Sequence, residues 1–528
     1  MLVRAGRLVA AGTVASRVTG FVRTLVLAAA LGLGTRLFDA YSVGNNVPNI
    51  VLDLVIGGVL TSVAVPLLVR AHLAGREAGE AYDAKLLALV FYVLSLAVVV
   101  SVLAAPLIVD IYASGFTASE HHVAVTLTRF FLPQVLFYGL GSTMAAIINA
   151  QGRFGLPAWA PVANNVIVTG AALMYLLVGG TGSVTAITTS ELVILGLGTT
   201  LGIAAQTAIL VPSLRRRGRG WLRAFDPRRL ADRPATLRAL RLAGWVSLYA
   251  LANQVSLVIV TRLSTGAGKG SFGAFTNAYA LFQLPYAIVA VSIITTLAPR
   301  ISRHAATGNH ARLTADISRA LRAASCILVP TTVLFLLLGP ALATVLFGHG
   351  HATWTAVHAT GSVLVIFGLA VLPFSAFQIM VTFFYAFRDT RTPAVVNFAA
   401  DAIGVIVFIA AALALPARDR DLGLAAGYLI SYTFGVAAFT YLLRQRLGRL
   451  DGHRVIRTLT RLTIAATLAG GVGLGARLVV ARSVTGSWPG ALEVITAVLL
   501  TGGTSFLWLA RRMRITELRA LLAIPGRR

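Results

Sequence analysis

The sequence predicts an all-α integral membrane protein of about fourteen transmembrane helices. Three observations carry that reading: repeated long apolar stretches, scarce charge, and basic residues confined to alternate joints. The 528 residues are 57% hydrophobic and 12% charged, with a mean hydropathy of +0.82. A soluble chain of this length needs more polar surface than that. The formal charge of +27 is spread in short arginine runs between apolar stretches. A nucleic-acid binder gathers its basic groups on one face with base-reading motifs, so nucleic acid is not an expected partner. Cys326 stands alone, which excludes an internal disulfide and a cysteine-based metal cluster.

Each bilayer crossing needs roughly 20 apolar residues. The first stretch, 8–33, follows Arg4 and Arg7 but is of spanning length, so it reads as a retained helix rather than a cleaved signal. The next spans are 39–69, 86–112, 123–149, 157–179 and 190–212. After a long basic joint come 242–264, 272–298, 321–347, 357–386, 393–415 and 422–443, and finally 457–481 and 489–510. The joints set the topology. With the N-terminus inside, inner joints hold Arg70, Arg76 and Lys85; Arg153; Arg215 to Arg241; Arg300 to Arg322; Arg388 and Arg391; Arg444 to Arg461; and Arg511 to Arg528. Outer joints 113–122, 180–189 and 348–356 contain no lysine or arginine, and the outer exceptions are Arg36, Lys269, Arg418 with Arg420, and Arg482. That asymmetry predicts an even number of spans with both ends cytoplasmic, in a bacterial inner membrane.

A faint repeat divides the chain. Leu132-Pro133, Asn149-Ala150 and Pro157 in spans four and five are echoed by Leu372-Pro373, Tyr385-Ala386 and Pro393 in spans ten and eleven. Thr61-Ser62-Val63-Ala64, preceded by Pro48, is likewise echoed by Thr295-Thr296-Leu297-Ala298, preceded by Pro285. Paired, proline-interrupted segments in two halves are what transporters place around a central site. The expected organisation is therefore an N-lobe at 1–212, a basic cytoplasmic linker at 213–241, a C-lobe at 242–443, and a C-terminal helix pair with a basic tail at 444–528.

Ionisable groups inside spans are costly, about 2.5–3.5 kcal/mol each at mid-bilayer on insertion scales, and mark candidate sites. Arg17 and Arg23 lie in span one, six residues apart, on faces diverging by roughly 120° with Gly20 between them. Asp39 and Asp53 lie in span two with Asn45, Asn46, Asn49 and Pro48, and either aspartate is also a candidate structural partner for Arg17 or Arg23. Arg129 and Arg262 sit near span ends and read as interfacial. Asn397 and Asp401, at i and i+4, share a helix face that suits a small cation, a proton relay or a plain helix–helix contact. His121, His122, His349 and His351 fall in outer joints without carboxylates at ligand spacing and read as solvated loop residues. No H-E-x-x-H, Walker loop or partnered G-x-S-x-G occurs, so an enzyme is not expected and transport is driven by a gradient or by membrane potential.

Several segments form a set: Ser16-Arg17-Val18-Thr19-Gly20-Phe21-Val22-Arg23, Asp39-Ala40-Tyr41, Val47-Pro48-Asn49 and Gly58 to Pro66. The run from Ile148 to Pro161 with Asn164-Asn165, Leu284-Pro285, Phe384-Tyr385-Ala386, and Asp389 to Pro393 continue it in order. Together these segments resemble the MurJ (MviN) family. The family belongs to the multidrug/oligosaccharidyl-lipid/polysaccharide exporter superfamily. The resemblance implies two six-helix lobes around a central cavity plus two C-terminal helices forming a lipid groove. It implies flipping of lipid II, the undecaprenyl-pyrophosphate-linked peptidoglycan precursor, from the inner to the outer leaflet by alternating access. It assigns Arg17, Arg23, Asp39 and Asn49 to the substrate head, and Asn397 with Asp401 to a sodium or proton site. No other cofactor is implied; membrane lipids and the cell-wall synthesis machinery are the implied neighbours. The chain departs from the family where members often carry a basic pair, here Leu52-Asp53, an arginine, here Ala280, and an acid, here Thr261. Those departures leave open a flippase for another polyprenyl-linked saccharide; a drug or cation antiporter of the same superfamily would share the fold but should want carboxylates, not arginines, in its N-terminal cavity. An integral-membrane glycosyltransferase would need a larger outer loop, and a passive scaffold would not need the buried arginines.

Overall fold

The protein is all helix in a computed structural model that describes every residue except 1, 58–67, 69, 70, 74, 216–232, 388, 449, 484–487, 514, 516 and 518–528. Twelve helices among the described residues are long and apolar enough to cross a membrane. The expected spans two and seven fall on a helix at Arg36–Leu52 with the π turn Asp53–Gly57 behind it, and on a helix at Arg233–Ala267. Span two is partly outside the described residues, as are the Gly58 to Pro66 segment, with its share of the repeat, and most of the basic linker. Contacts divide the chain into a first unit, Met1–Phe272 with His349–Ala352, and a second, Gly273–Gly348 with Thr353–Arg528.

The first unit holds α1 (Leu2–Leu31), α2 (Arg36–Leu52), α3 (Arg76–Leu103), α4 (Ala105–Tyr112), α5 (Ala118–Phe131), α6 (Gln134–Ala150), α7 (Gly155–Leu177), α8 (Thr189–Ala208), α9 (Val211–Arg215) and α10 (Arg233–Ala267). Span three breaks at Ala104, ahead of Pro106, and span four breaks at Leu132-Pro133, as a missing N–H dictates. Pro48 inside α2 precedes the π turn, a second local departure around a proline. α1 approaches α7 closely because its facing residues are small: a Cβ on Gly12 would lie 2.7 Å from Trp159, and one on Gly20 3.3 Å from Asn165. Asn165 Nδ2 then donates to the Ser16 carbonyl and to Thr19 Oγ1, both at 3.0 Å. Small residues with a polar tie are how helices associate in lipid. The segment His349–Ala352 docks on the end of α1, where the His351 N–H donates to the Ala29 carbonyl at 3.0 Å. Its ring Nδ1 lies 3.1 Å from the Ala30 carbonyl. His351 is thus a helix-end cap as well as an exposed loop residue.

The second unit holds α11 (Ser271–Ala306), α12 (His310–Phe347), α13 (Trp354–Ala386), α14 (Arg391–Ala414), α15 (Arg420–Leu447), α16 (Gly452–Ser483) and α17 (Trp488–Arg512). Its centre is a column of rings at helical spacing: Phe275, Tyr279 and Phe282 on α11; Phe367, Phe374 and Phe377 on α13; Tyr428, Tyr432 and Phe439 on α15. Centroids lie 4.9 Å apart for Phe282–Phe367, 4.8 Å for Phe374–Tyr432 and 5.0 Å for Phe377–Phe439. Each such pair adds about 0.5–1.5 kcal/mol beyond its buried area. Leu462, Ala465, Ala466 and Ala469 of α16 pack with Phe506 and Ala510 of α17 against Cys326 and Val329 of α12. Helices α11 and α12 extend well past the expected span ends, because the joint Arg300 to Arg322 is mostly helix. His304 Nδ1 meets Asp316 Oδ2 at 2.9 Å and Arg300 meets Asp316 Oδ1 at 3.1 Å, pinning the two extensions together.

Candidate substrate and ion sites

Both arginines of α1 lie in the first unit, with Arg17 exposed and Arg23 half-buried. The Arg23 Nε is buried and has no hydrogen-bond partner. Its charge acts on the hydroxyls of Tyr41, on α2, and Tyr138, on α6. Tyr41 Oη is 2.8 Å from Thr199 Oγ1 of α8, and the Tyr41 ring packs edge-on against Phe131 at 5.2 Å. Tyr41 and Tyr138 therefore stand within reach of the Arg23 charge, and Tyr138 is a residue that sequence reading did not single out. A guanidinium and two phenolic hydroxyls are donors suited to an anionic oxygen.

The aspartates do not serve these arginines. Asp39 is fully buried and accepts from the Gly270 N–H at 2.8 Å, with Arg36 Nη1 3.5 Å away. Asp53 is exposed and accepts from Gln254 Nε2 at 3.1 Å. The expected pairing of Asp39 or Asp53 with Arg17 or Arg23 is corrected accordingly: among the described residues no carboxylate lies within ion-pair distance of either arginine. Arg36, read from sequence only as an exception among bare outer joints, is the hub instead. It donates to the carbonyls of Thr265 at 3.1 Å and Gly115 at 3.3 Å, and approaches Glu120 at 3.6 Å. The signal was local: Thr35 caps α2 by accepting from the Phe38 N–H at 3.1 Å, so Arg36 and Asp39 fall three apart in its first turn. The Gly270 contact needs glycine, because φ is +75° and a Cβ would strike the Gly34 backbone.

Asn49 is exposed on α2, one residue past Pro48. Arg262 is exposed and donates to the carbonyls of Asp110 and Ile111 at 3.3 and 3.1 Å, closing the C-terminal end of α4; Arg129 is exposed on α5. In the second unit Asn397 Nδ2 donates to Asp401 Oδ2 at 2.8 Å, and Asn397 is buried. Tyr279 and Tyr428 of the aromatic column stand within reach of the Asp401 charge. No group of three His, Cys, Asp or Glu side chains placed to hold a metal occurs among the described residues. In this arrangement the amide presents its N–H to the carboxylate. The Asp389 to Pro393 motif forms the turn into α14. Asp389 accepts from the Thr392 N–H at 3.0 Å, the Thr392 hydroxyl at 2.8 Å and Arg446 at 2.8 Å. Partial burial alone would raise the Asp389 carboxyl, but the Thr392 and Arg446 donors outweigh it and hold it below the usual carboxylate value.

The second unit also contains an apolar groove of about 350 Å³ between α12, α13, α15 and α16, with Leu328, Met380, Val436, Val455 and Leu459 among its walls. Comparison with known proteins gives the family. The family profile described as "Lipid II flippase MurJ" matches residues 27–491. A protein of Rhizobium tropici named "Probable lipid II flippase MurJ" is 28% identical over 88% of this chain and 85% of its own length. One of Burkholderia cenocepacia named "Lipid II flippase MurJ" is 26% identical over 77% of this chain and 76% of its own. A solved structure of "Lipid II flippase MurJ, inward closed conformation" superposes with a TM-score of 0.75 at 17% identity, over 96% of this chain and 99% of that one. An inward-facing multidrug resistance MATE family transporter of the MOP superfamily gives 0.66 at 15% identity, over 82% and 95% of the two chains. These two similarities are of fold. With its apolar helices, the profile match makes this a multi-pass protein of the bacterial inner membrane, and the chain belongs to the MurJ lipid II flippase family.

Proposed function

We propose that the chain flips lipid II from the inner to the outer leaflet of the cytoplasmic membrane by alternating access, with both chain ends cytoplasmic. One observation carries the assignment of the head group. Arg23 is half-buried with an unpartnered Nε, and the aspartates that might have neutralised it are held by Arg36, Gly270 and Gln254. A guanidinium in a span is costly without an anion, and a pyrophosphate supplies one with matching fork geometry. Arg17 and Asn49, both exposed on neighbouring elements, would take further oxygens of the head, and Asp39 holds the α2 start in place. The groove walled by α16 would hold a stretch of the polyprenyl tail. An inside-negative potential drives an anionic head outward, at about 2.3 kcal/mol per charge per 100 mV, so no ATP site is required.

The test is complementation of a flippase-depleted strain by Arg17→Ala, Arg17→Lys, Arg23→Ala and Arg23→Lys at matched membrane abundance, scored by lipid II in the outer leaflet. Loss of a charged hydrogen bond is worth about 1.5–3 kcal/mol, so each alanine variant should lose activity by roughly 10- to 150-fold. Lysine should rescue only in part, because a forked donor set becomes a point charge. Full complementation by both alanine variants removes the arginines from the mechanism.

A further inference from the structure

Four arginines converge at the start of α16. Arg454, Arg457 and Arg461 occupy one face of that helix at i, i+3 and i+7, with Thr458 beside them. Arg322 of α12 joins them, and Ile515 and Glu517 beyond α17 complete the walls of a polar cavity of about 260 Å³. The internal carboxylates reach only part of this charge. Glu517 pairs with Arg322, and Asp451 lies 3.7 Å from Arg454. Among the described residues no carboxylate lies within ion-pair distance of Arg457 or Arg461. A run of arginines serving only as a topology signal needs no such convergence with another helix. It also needs no half-buried Arg461 and no nearly buried Thr458.

We infer that this pocket binds the phosphate of an anionic phospholipid headgroup from the bilayer. The chemistry is that of converging guanidinium forks on phosphate oxygens, with the Thr458 hydroxyl as a further donor. The stripe above the pocket selects a lipid over a free anion. Arg457 and Arg461 continue up α16 as Ile464, Leu468 and Val472, which are 45%, 55% and 51% exposed. That face is cationic at the end of a span, where headgroups lie, and apolar where acyl chains follow. Glu517 sits in the pocket as an internal competitor for the arginines.

The experiment uses the full-length protein purified in mixed micelles of phosphatidylcholine with labelled phosphatidylglycerol, and measures labelled lipid retained per protein. The wild type should retain phosphatidylglycerol in preference to phosphatidylcholine. Arg457→Gln with Arg461→Gln should weaken retention by roughly 30-fold, at about five-fold per arginine, and Glu517→Gln should strengthen it. Arg457 is exposed, so Arg457→Gln alone, at about five-fold, answers the question if the double variant is unstable. Equal retention by the wild type and the arginine variants overturns the site. Displacement of the lipid by millimolar inorganic phosphate overturns the assignment to a lipid. Unchanged or weaker retention by Glu517→Gln reduces the cluster to a structural bridge. None of these readouts depends on flipping.

Discussion

At the scale of single residues, the first turn of α2 shows how a buried charge is settled. Asp39 has no solvent access, so it needs a counter-charge and donors, and it finds Arg36 and the Gly270 N–H. Arg36 in turn anchors carbonyls at Gly115 and Thr265, so one side chain ties α2 to the start of α5 and the end of α10. Removing one member of a buried pair is more damaging than removing both. Arg36→Ala should therefore destabilise the protein by about 3–5 kcal/mol, and Arg36→Ala with Asp39→Ala by less than the sum of the two single changes. Thermal or denaturant unfolding in detergent, run as a double-mutant cycle, measures this; strict additivity would dissolve the pair. The sequence marked Asp39 as a residue of interest because carboxylates are rare in spans. It did not reveal the partners, because Gly270 and Thr265 are brought to Asp39 and Arg36 only by folding across more than two hundred residues.

Element by element, legibility followed periodicity. Spans with apolar runs of bilayer length were readable, and so was the interruption at Pro133, since a proline removes a specific hydrogen bond; the break ahead of Pro106 was not read. The aromatic column was not read. The helices that build it are apolar on nearly every face, so no stripe separates Phe367 or Phe377 from lipid-facing neighbours. The Asp389 turn was read through resemblance alone, and its role proves to be capping α14 and holding Arg446. Asn397 and Asp401 were legible because i, i+4 spacing survives any packing, and the structure joins them at 2.8 Å. We propose that this pair couples flipping to an ion, a proton or sodium. On that reading Asp401→Asn should abolish the pH or sodium dependence of transport measured in proteoliposomes while leaving insertion and folding intact. The same dependence in the variant, or none in the wild type, would assign Asp401 to packing between α14 and its neighbours.

For the whole molecule, the outstanding physical question is whether α10 crosses the membrane. It is 35 residues long, ample for a span, but its first turns carry Arg233, Arg238 and Arg241, and it is not among the twelve helices that pass on length and composition. We propose that it crosses, as the charge asymmetry of the joints predicts. Thr185, in the bare joint between α7 and α8, and Thr307, in the arginine-rich joint between α11 and α12, are both exposed. Between them lie α8, α10 and α11, besides the five-residue α9, which is too short to cross. If all three cross, the two threonines are on opposite sides; if α10 does not, they are on the same side. Cys326 is 1% exposed and is replaced by serine to leave a silent background. Gly350 is a poor reporter, because its φ of +62° and its contact with the Ala29 carbonyl leave no room for a side chain. In intact cells an impermeant maleimide should label Thr185→Cys, and should label Thr307→Cys only after permeabilisation. Labelling of both from outside would withdraw α10 from the bilayer and, with it, the even count that places both ends in the cytoplasm.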